Sequence, residues 1–236
     1  MTVTDVNVVK SAIFERPDDA NKGTLGSLLC VCGSYGMAGA AVMSAKGALR
    51  TGIGLAKCAL PRSVYPIVAQ TILESVYYPL SENADGRISK VNVPFLVSES
   101  CKSSATLVGC GLGVCDDTLK IVFSFIENST TPLVLDADAL NCVAKQPEIL
   151  LRKKAPIIIT PHPGEMSRLT GLATPLVNAE RERVALDFAQ KYGVVTVLKG
   201  AGTVIASPNG KVLVNPTGNS GMATGGSGDV LAGMTA

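Results

Sequence analysis

The sequence predicts an α/β fold: a mostly parallel β-sheet covered by helices, finished at one edge by antiparallel strands. Three observations predict it. Short apolar runs bounded by turn residues recur at 27–32, 54–60, 105–108, 133–135, 157–160, 194–198 and 203–206, each the length of a buried strand. Between several of them lie segments whose apolar residues return every three or four positions, at 38–51, 117–127 and 180–192. The final runs, 194–198, 203–206 and 211–214, instead follow one another across short turns, one of them Pro208-Asn209-Gly210.

In chain order, run 27–32 leads through the small residues of 33–41 into the helical pattern 38–51, the start of an alternation that parallel sheets require. Run 105–108 leads through Gly109-Cys110-Gly111-Leu112-Gly113 toward helix 117–127, and run 133–135 exits into Asp136-Ala137-Asp138-Ala139-Leu140-Asn141. Run 157–160 exits into Pro161-His162-Pro163-Gly164-Glu165, and helix 180–192 precedes run 194–198. Neither an internal repeat nor a low-complexity linker marks a second unit, so 1–236 reads as a single domain. The chain stops at Ala236, a few residues into a helix beginning near Asp229, and a further helix or helices are expected to complete the fold.

Composition narrows the function classes. The 21 basic and 19 acidic residues are dispersed, so no basic tract points to nucleic acid or an anionic membrane surface. No apolar stretch approaches the roughly 20 residues that span a bilayer, and 1–10 lack the layout of a signal peptide. A cytoplasmic location follows as the expectation. Cys30, Cys32, Cys58, Cys101, Cys110, Cys115 and Cys142 are an odd set without a CxxC pair, which reads as reduced thiols serving mostly as small core hydrophobes. With His162 the single histidine, a structural zinc site is not expected.

The most informative segment runs from Asn215-Pro216-Thr217-Gly218-Asn219 to Gly225-Gly226-Ser227-Gly228-Asp229 and the apolar residues after it. Glycines let backbone amides approach an anion, and Gly225, Gly226, Ser227 and Gly228 ahead of a helix form a candidate anion hole for a transferring phosphate. Asp229 then stands where a carboxylate takes a proton from an attacking hydroxyl. Taken alone, the same residues also fit a flexible loop with an ordinary helix cap.

Four further strand exits carry candidate chemistry. Lys199-Gly200-Ala201-Gly202-Thr203 offers charge and bare backbone to phosphate, or is a plain turn with a solvated lysine. His162 and Glu165 lie at a strand's carboxyl end, where open α/β sheets place ligands. Asp136, Asp138 and Asn141 suit orientation of metal-bound water or a substrate hydroxyl, with Asp138 alternatively a helix cap. The 109–113 loop fails as a dinucleotide fingerprint, because no third glycine opens the following helix.

Together GGSGDVLAG, NPTGN, Lys22-Gly23-Thr24, Gly36-Met37-Ala38-Gly39-Ala40-Ala41 and Thr160-Pro161-His162-Pro163-Gly164-Glu165 resemble the ADP/ATP-dependent NAD(P)H-hydrate dehydratases, from about Lys22 to the chain end. The resemblance implies a ribokinase-like three-layer sandwich and a repair reaction. A nucleotide, ADP or ATP, phosphorylates the hydroxyl of hydrated NADH or NADPH, and phosphate then leaves. It implies Asp229 as base and hydrate contact, with Ala40, Gly111 and His162 also on the hydrate. Lys199, Gly200, Ala201, Gly202, Thr203 and Gly228 fall on the nucleotide, and Glu165 resembles the acidic residue that helps hold Mg²⁺ through water. The family usually has proline where this chain has Cys110, which leaves that loop less rigid. A homotetramer is implied as well. The alternative is a small-molecule kinase of the same superfamily acting on a thiazole, pyrimidine or sugar alcohol, for which Pro161-His162-Pro163-Gly164-Glu165 would not be needed.

Overall fold

A computed structural model describes residues 2–3 and 16–236; apart from 2–3, the N-terminal segment 1–10 read above lies outside the described residues. The elements are β1 (Thr2–Val3), β2 (Ser27–Val31), α1 (Ala38–Thr51), β3 (Leu55–Pro61), α2 (Tyr65–Ala69), β4 (Val76–Leu80), α3 (Val93–Cys101), β5 (Ala105–Val108), α4 (Asp116–Asn128), β6 (Leu133–Leu135), α5 (Asp138–Val143), β7 (Ile157–Ile159), α6 (Pro163–Thr170), α7 (Thr174–Ala179), α8 (Arg181–Tyr192), β8 (Val195–Leu198), β9 (Thr203–Ala206), β10 (Val212–Asn215) and α9 (Ser227–Thr235). The expected strands and helices are present within a residue or two of their predicted bounds. The pattern passed over β4 and α3, where Pro79 and Pro94 interrupt the periodicity, and also the short helices α2 and α7.

The strands form one sheet in the order β1-β10-β9-β8-β7-β6-β5-β2-β3-β4. All neighbours are parallel except β10–β9 and β9–β8, which supply the antiparallel strands anticipated from the closing turns. Buried side chains alternate between the two faces. Leu29, Val31, Val108, Leu133, Leu135, Ile157 and Ile159 join the core beneath α4, α5, α6 and α8. Leu28, Cys30, Leu107 and Val134 join the opposite core under α1, α2 and α9. Strands covered on both faces are why these runs read as continuously apolar rather than alternating. All seven cysteines are free, and five are buried, matching their reading as core-filling thiols.

Helix α9 is seated on α1 through glycine. A Cβ on Gly47 would stand 2.5 Å from the Val230 carbonyl oxygen, and one on Gly233 would collide with the Ser44 carbonyl. The two main chains therefore touch without intervening side chains. Gly47→Ala is expected to destabilise the protein by about 2 kcal/mol, the overpacking strain exceeding alanine's gain in helix propensity. Urea unfolding checks this, and a midpoint at or above the parent's would mean that α9 can retreat freely.

Candidate active site

Strands β2, β5, β6, β7 and β8 are parallel, so their carboxyl ends open on one side of the sheet. Between β2 and β5 the strand order reverses, and open α/β sheets place their ligand crevice at such a point. The two loops leaving these strands are laced together. Gly33 N–H donates to the Cys110 carbonyl at 2.8 Å, and Ser34 Oγ donates to the Gly111 carbonyl at 2.8 Å. Gly111 has φ +62°, and a Cβ there would lie 2.7 Å from the Ala40 Cβ. The structure thus brings Ala40 and Gly111, far apart in sequence, into one wall.

Lys199 is the centre of the charged cluster. It follows β8, its amide donates to the Pro161 carbonyl at 2.8 Å, and its Nζ lies 2.6 Å from Asp136 Oδ1 and 3.8 Å from Glu165 Oε2. Both carboxylates are almost fully buried, so the lysine supplies the charge that makes their burial tolerable. It is the reverse of the solvated-lysine alternative. Burial pushes the Glu165 carboxyl up from its ordinary range, with the neighbouring Lys199 charge opposing that shift. Gly228, at the start of α9, faces the same lysine: a Cβ there would be 3.7 Å from Nζ.

The three residues after β6 divide their work. Asp136 points to Lys199, and the Cys110 thiol lies 3.7 Å from its other oxygen. Asp138 Oδ2 accepts the Gly113 amide at 2.8 Å, fixing the glycine loop; its Oδ1 accepts from Asn141, whose own oxygen accepts from Arg168. Ala137 between them has φ +48°, the one non-glycine residue in the left-handed region among the described residues. That backbone strain is the means by which adjacent carboxylates serve two different loops.

His162 and Glu165 form a reciprocal cap at the start of α6. His162 Nδ1 accepts from the amides of Gly164 and Glu165, while Glu165 Oε2 accepts the His162 amide at 2.8 Å. Pro163 at the first helical position completes the start signal. The imidazole stays half exposed, its Nε2 3.5 Å from Glu165 Oε1. Sequence reasoning missed the cap, although an acid three residues after a polar residue and before a helix is its signal.

The amides of Ser227, Gly228 and Asp229 lie in the first turn of α9, where no intrahelical acceptor exists, and Gly226 at the cap has φ +91°. Ser227 Oγ donates to the Met222 and Thr224 carbonyls at 2.7 Å and its amide donates to the Thr224 carbonyl at 3.4 Å, so this residue closes the loop ahead of the helix. Asp229 is half-buried. Burial raises its carboxyl above the ordinary value, the Cys110 thiol acts in the opposite direction, and the Asp136 charge adds to the rise. Gly200 to Thr203 run past a cavity of about 580 Å³ to which Ala201 and Gly202 contribute. Lys22-Gly23-Thr24 stand apart in an exposed turn closed by the Asn21 side chain, and the Lys22 carbonyl abuts Gly54. Among the described residues, no three His, Cys, Asp or Glu side chains converge on a metal position.

Comparison with known proteins places the chain. The family model described as NAD(P)H-hydrate dehydratase matches residues 28–236. The chain belongs to that family. The bifunctional NAD(P)H-hydrate repair enzyme of Thermofilum pendens is 41% identical over 221 residues, which are 94% of this chain and 42% of that protein. The chain therefore spans about two-fifths of such bifunctional relatives. The ADP-dependent (S)-NAD(P)H-hydrate dehydratase of Neisseria meningitidis serogroup B is 35% identical over 222 residues, 93% of this chain and 71% of that one. The crystal structure of the ADP/ATP-dependent NAD(P)H-hydrate dehydratase from Bacillus subtilis, co-crystallized with ATP/Mg²⁺, aligns with TM-score 0.83 at 32% identity, covering 99% of this chain and 79% of that chain. The sheet flanked by helices on both faces is the ribokinase-like three-layer sandwich of this NAD(P)H-hydrate dehydratase family. None of the helices among the described residues is long and apolar enough to cross a membrane.

Proposed function

We propose that the protein is an ADP- or ATP-dependent (S)-NAD(P)H-hydrate dehydratase. The observation that carries the reading is the placement of Asp229 in the first turn of α9, beside Cys110 of the glycine loop and within electrostatic reach of Lys199 and Asp136. The hydrate lies across Ala40, Gly111 and His162, and the nucleotide follows Lys199, Gly200, Ala201, Gly202 and Thr203 to the amide of Gly228. Gly225, Gly226, Ser227 and Gly228 present main-chain dipoles to the transferring phosphoryl group, where negative charge accumulates.

Asp229 accepts the proton of the hydrate hydroxyl as its oxygen attacks the terminal phosphorus and the donor's bridging P–O bond breaks. In the second step the ring C–O bond breaks, its electron pair leaves on phosphate, and loss of an adjacent ring proton restores the double bond. Lys199 holds positive charge beside the transferred group without giving up its buried carboxylates. Glu165 would suit an Mg²⁺ held through water, since its Oε1 has only the long His162 contact. When bound, Mg²⁺ neutralises charge on the nucleotide phosphates.

The test follows the absorbance of reduced nicotinamide with the protein, hydrated NADH, Mg²⁺ and either ADP or ATP. Nucleotide-dependent recovery is expected and names the donor; consumption of nucleotide with other alcohols but no recovery would overturn the reading. His162→Asn separates contact from capping, because asparagine retains a good cap. It is expected to raise the Michaelis constant for hydrate about tenfold, roughly the loss of one hydrogen bond to a polar group, with the nucleotide constant unchanged. Equal rises in both constants would reassign His162 to folding alone.

A further inference from the structure

Arg181, the first residue of α8, reaches the phosphate-facing loop from outside the sheet. One terminal nitrogen donates to the Leu198 carbonyl at 2.8 Å and to the Lys199 carbonyl at 3.1 Å. Its other terminal nitrogen would stand 2.9 Å from a Cβ on Gly200, where φ is +147°. The guanidinium therefore occupies the space that only glycine leaves open, at a backbone angle that L side chains rarely adopt.

These contacts hold Lys199 from two sides. Its amide is tied inward to the Pro161 carbonyl and its carbonyl is tied outward to Arg181, so the side chain leaves the backbone in one direction, toward Asp136. Few other groups compete for the guanidinium. Among the described residues its Nε is buried without a hydrogen-bond partner and no carboxylate pairs with it, whereas Glu180 next to it pairs with Arg183. Along the same side runs the cavity of about 580 Å³ lined by Arg181, Ala201, Gly202 and Val204. A partly desolvated cation held, among the described residues, by carbonyl oxygens is an expensive way to stabilise a turn. The arrangement is explained if the turn must present a fixed backbone and a fixed lysine to a polyanion.

We infer that Arg181 is a positioning residue for the nucleotide, setting the path of Lys199, Gly200 and Ala201 from behind, and this rests on the nucleotide reading of that loop. It acts through Lys199 and Gly200 rather than by touching the reacting atoms. Its effect should fall on the nucleotide and leave the hydrate, which lies across other loops, untouched.

The experiment compares the parent, Arg181→Met and Arg181→Lys in the NADH-recovery assay, with nucleotide binding measured by calorimetry and unfolding followed by heat. Methionine keeps the aliphatic stem but removes the donors; lysine restores a cation and donors without the planar fork. For Arg181→Met the expected result is at least a tenfold rise in the Michaelis constant and dissociation constant for nucleotide, with the hydrate constant within twofold of the parent. Arg181→Lys should recover part of the nucleotide affinity. Unchanged nucleotide constants in a folded Arg181→Met protein would overturn the inference. Equal weakening of both substrates alongside a lowered melting temperature in both variants would overturn it too, by reducing Arg181 to a structural residue. An inactive parent that still binds nucleotide would instead count against the dehydratase reading, while the binding comparison would continue to judge Arg181.

Discussion

Asp229→Asn is expected to lower turnover by on the order of a thousandfold while leaving nucleotide affinity nearly unchanged, the scale of a lost general base. In the proposed mechanism the carboxylate acts on the hydroxyl proton, whereas the nucleotide is held by the Lys199 loop and the amides of the first turn of α9. Burial raises the Asp229 carboxyl, so the acid limb of the pH profile of kcat/KM in the parent should lie above the ordinary carboxylate value of about 4. The linkage has a definite sign. An acid whose folded pKa is raised contributes stability below its unfolded pKa and loses it as pH rises through the folded value. The asparagine variant, which escapes that loss, should melt at or above the parent's temperature at neutral pH. Steady-state kinetics, calorimetric binding and melting check the three parts. Turnover comparable with the parent's would remove Asp229 as the base.

Lys199→Met should have the other large effect, and on stability as well as rate. Without the ammonium group, Asp136 and Glu165 become neighbouring buried carboxylates with no cation between them. Breaking one partner out of a buried ionic cluster typically costs about 3–5 kcal/mol. Burial already raises Glu165, and losing the lysine removes the largest opposing influence. Its folded pKa therefore rises further, and the destabilisation grows as pH increases through that value and is relieved by protonation below about 4. The gap in melting temperature between parent and variant should be larger at pH about 8 than at pH about 5. A pH-independent gap would show that the carboxylates do not depend on Lys199 for their charge.

The fold was legible in the sequence where burial on both faces turns strands into solid apolar runs and where helix spacing persists for three turns, as in 27–32 and 38–51. It was not legible in β4, an edge strand in which Pro79 and two tyrosines give no clear period. Among the candidate residues, glycine-rich exits and lone polar residues after strands stood out as motifs. What linear reading could not provide was their partnership: Lys199 with Asp136, Gly111 with Ala40, and Arg181 with the Leu198 and Lys199 carbonyls. Those contacts depend on which strands lie side by side, and spacing along the chain carries no record of that order. Cys110, read as one of the reduced thiols and as a departure from proline, gains meaning once its thiol lies beside Asp136.

The junction of α1 and α9 has a consequence for how the site ages and adapts. Ala40 opens one helix and Asp229 the other, and the two are spaced by peptide groups in direct apposition at Gly47 and Gly233. A spacer made of main chain has no rotamers to sample, so the interval between Ala40 and Asp229 behaves as a rigid gauge. Drift elsewhere in the core can soften the protein without recalibrating that gauge. Alteration of either glycine moves both calibration marks at once, which makes new substrate preferences easier to reach through the surrounding loops than through this helix pair.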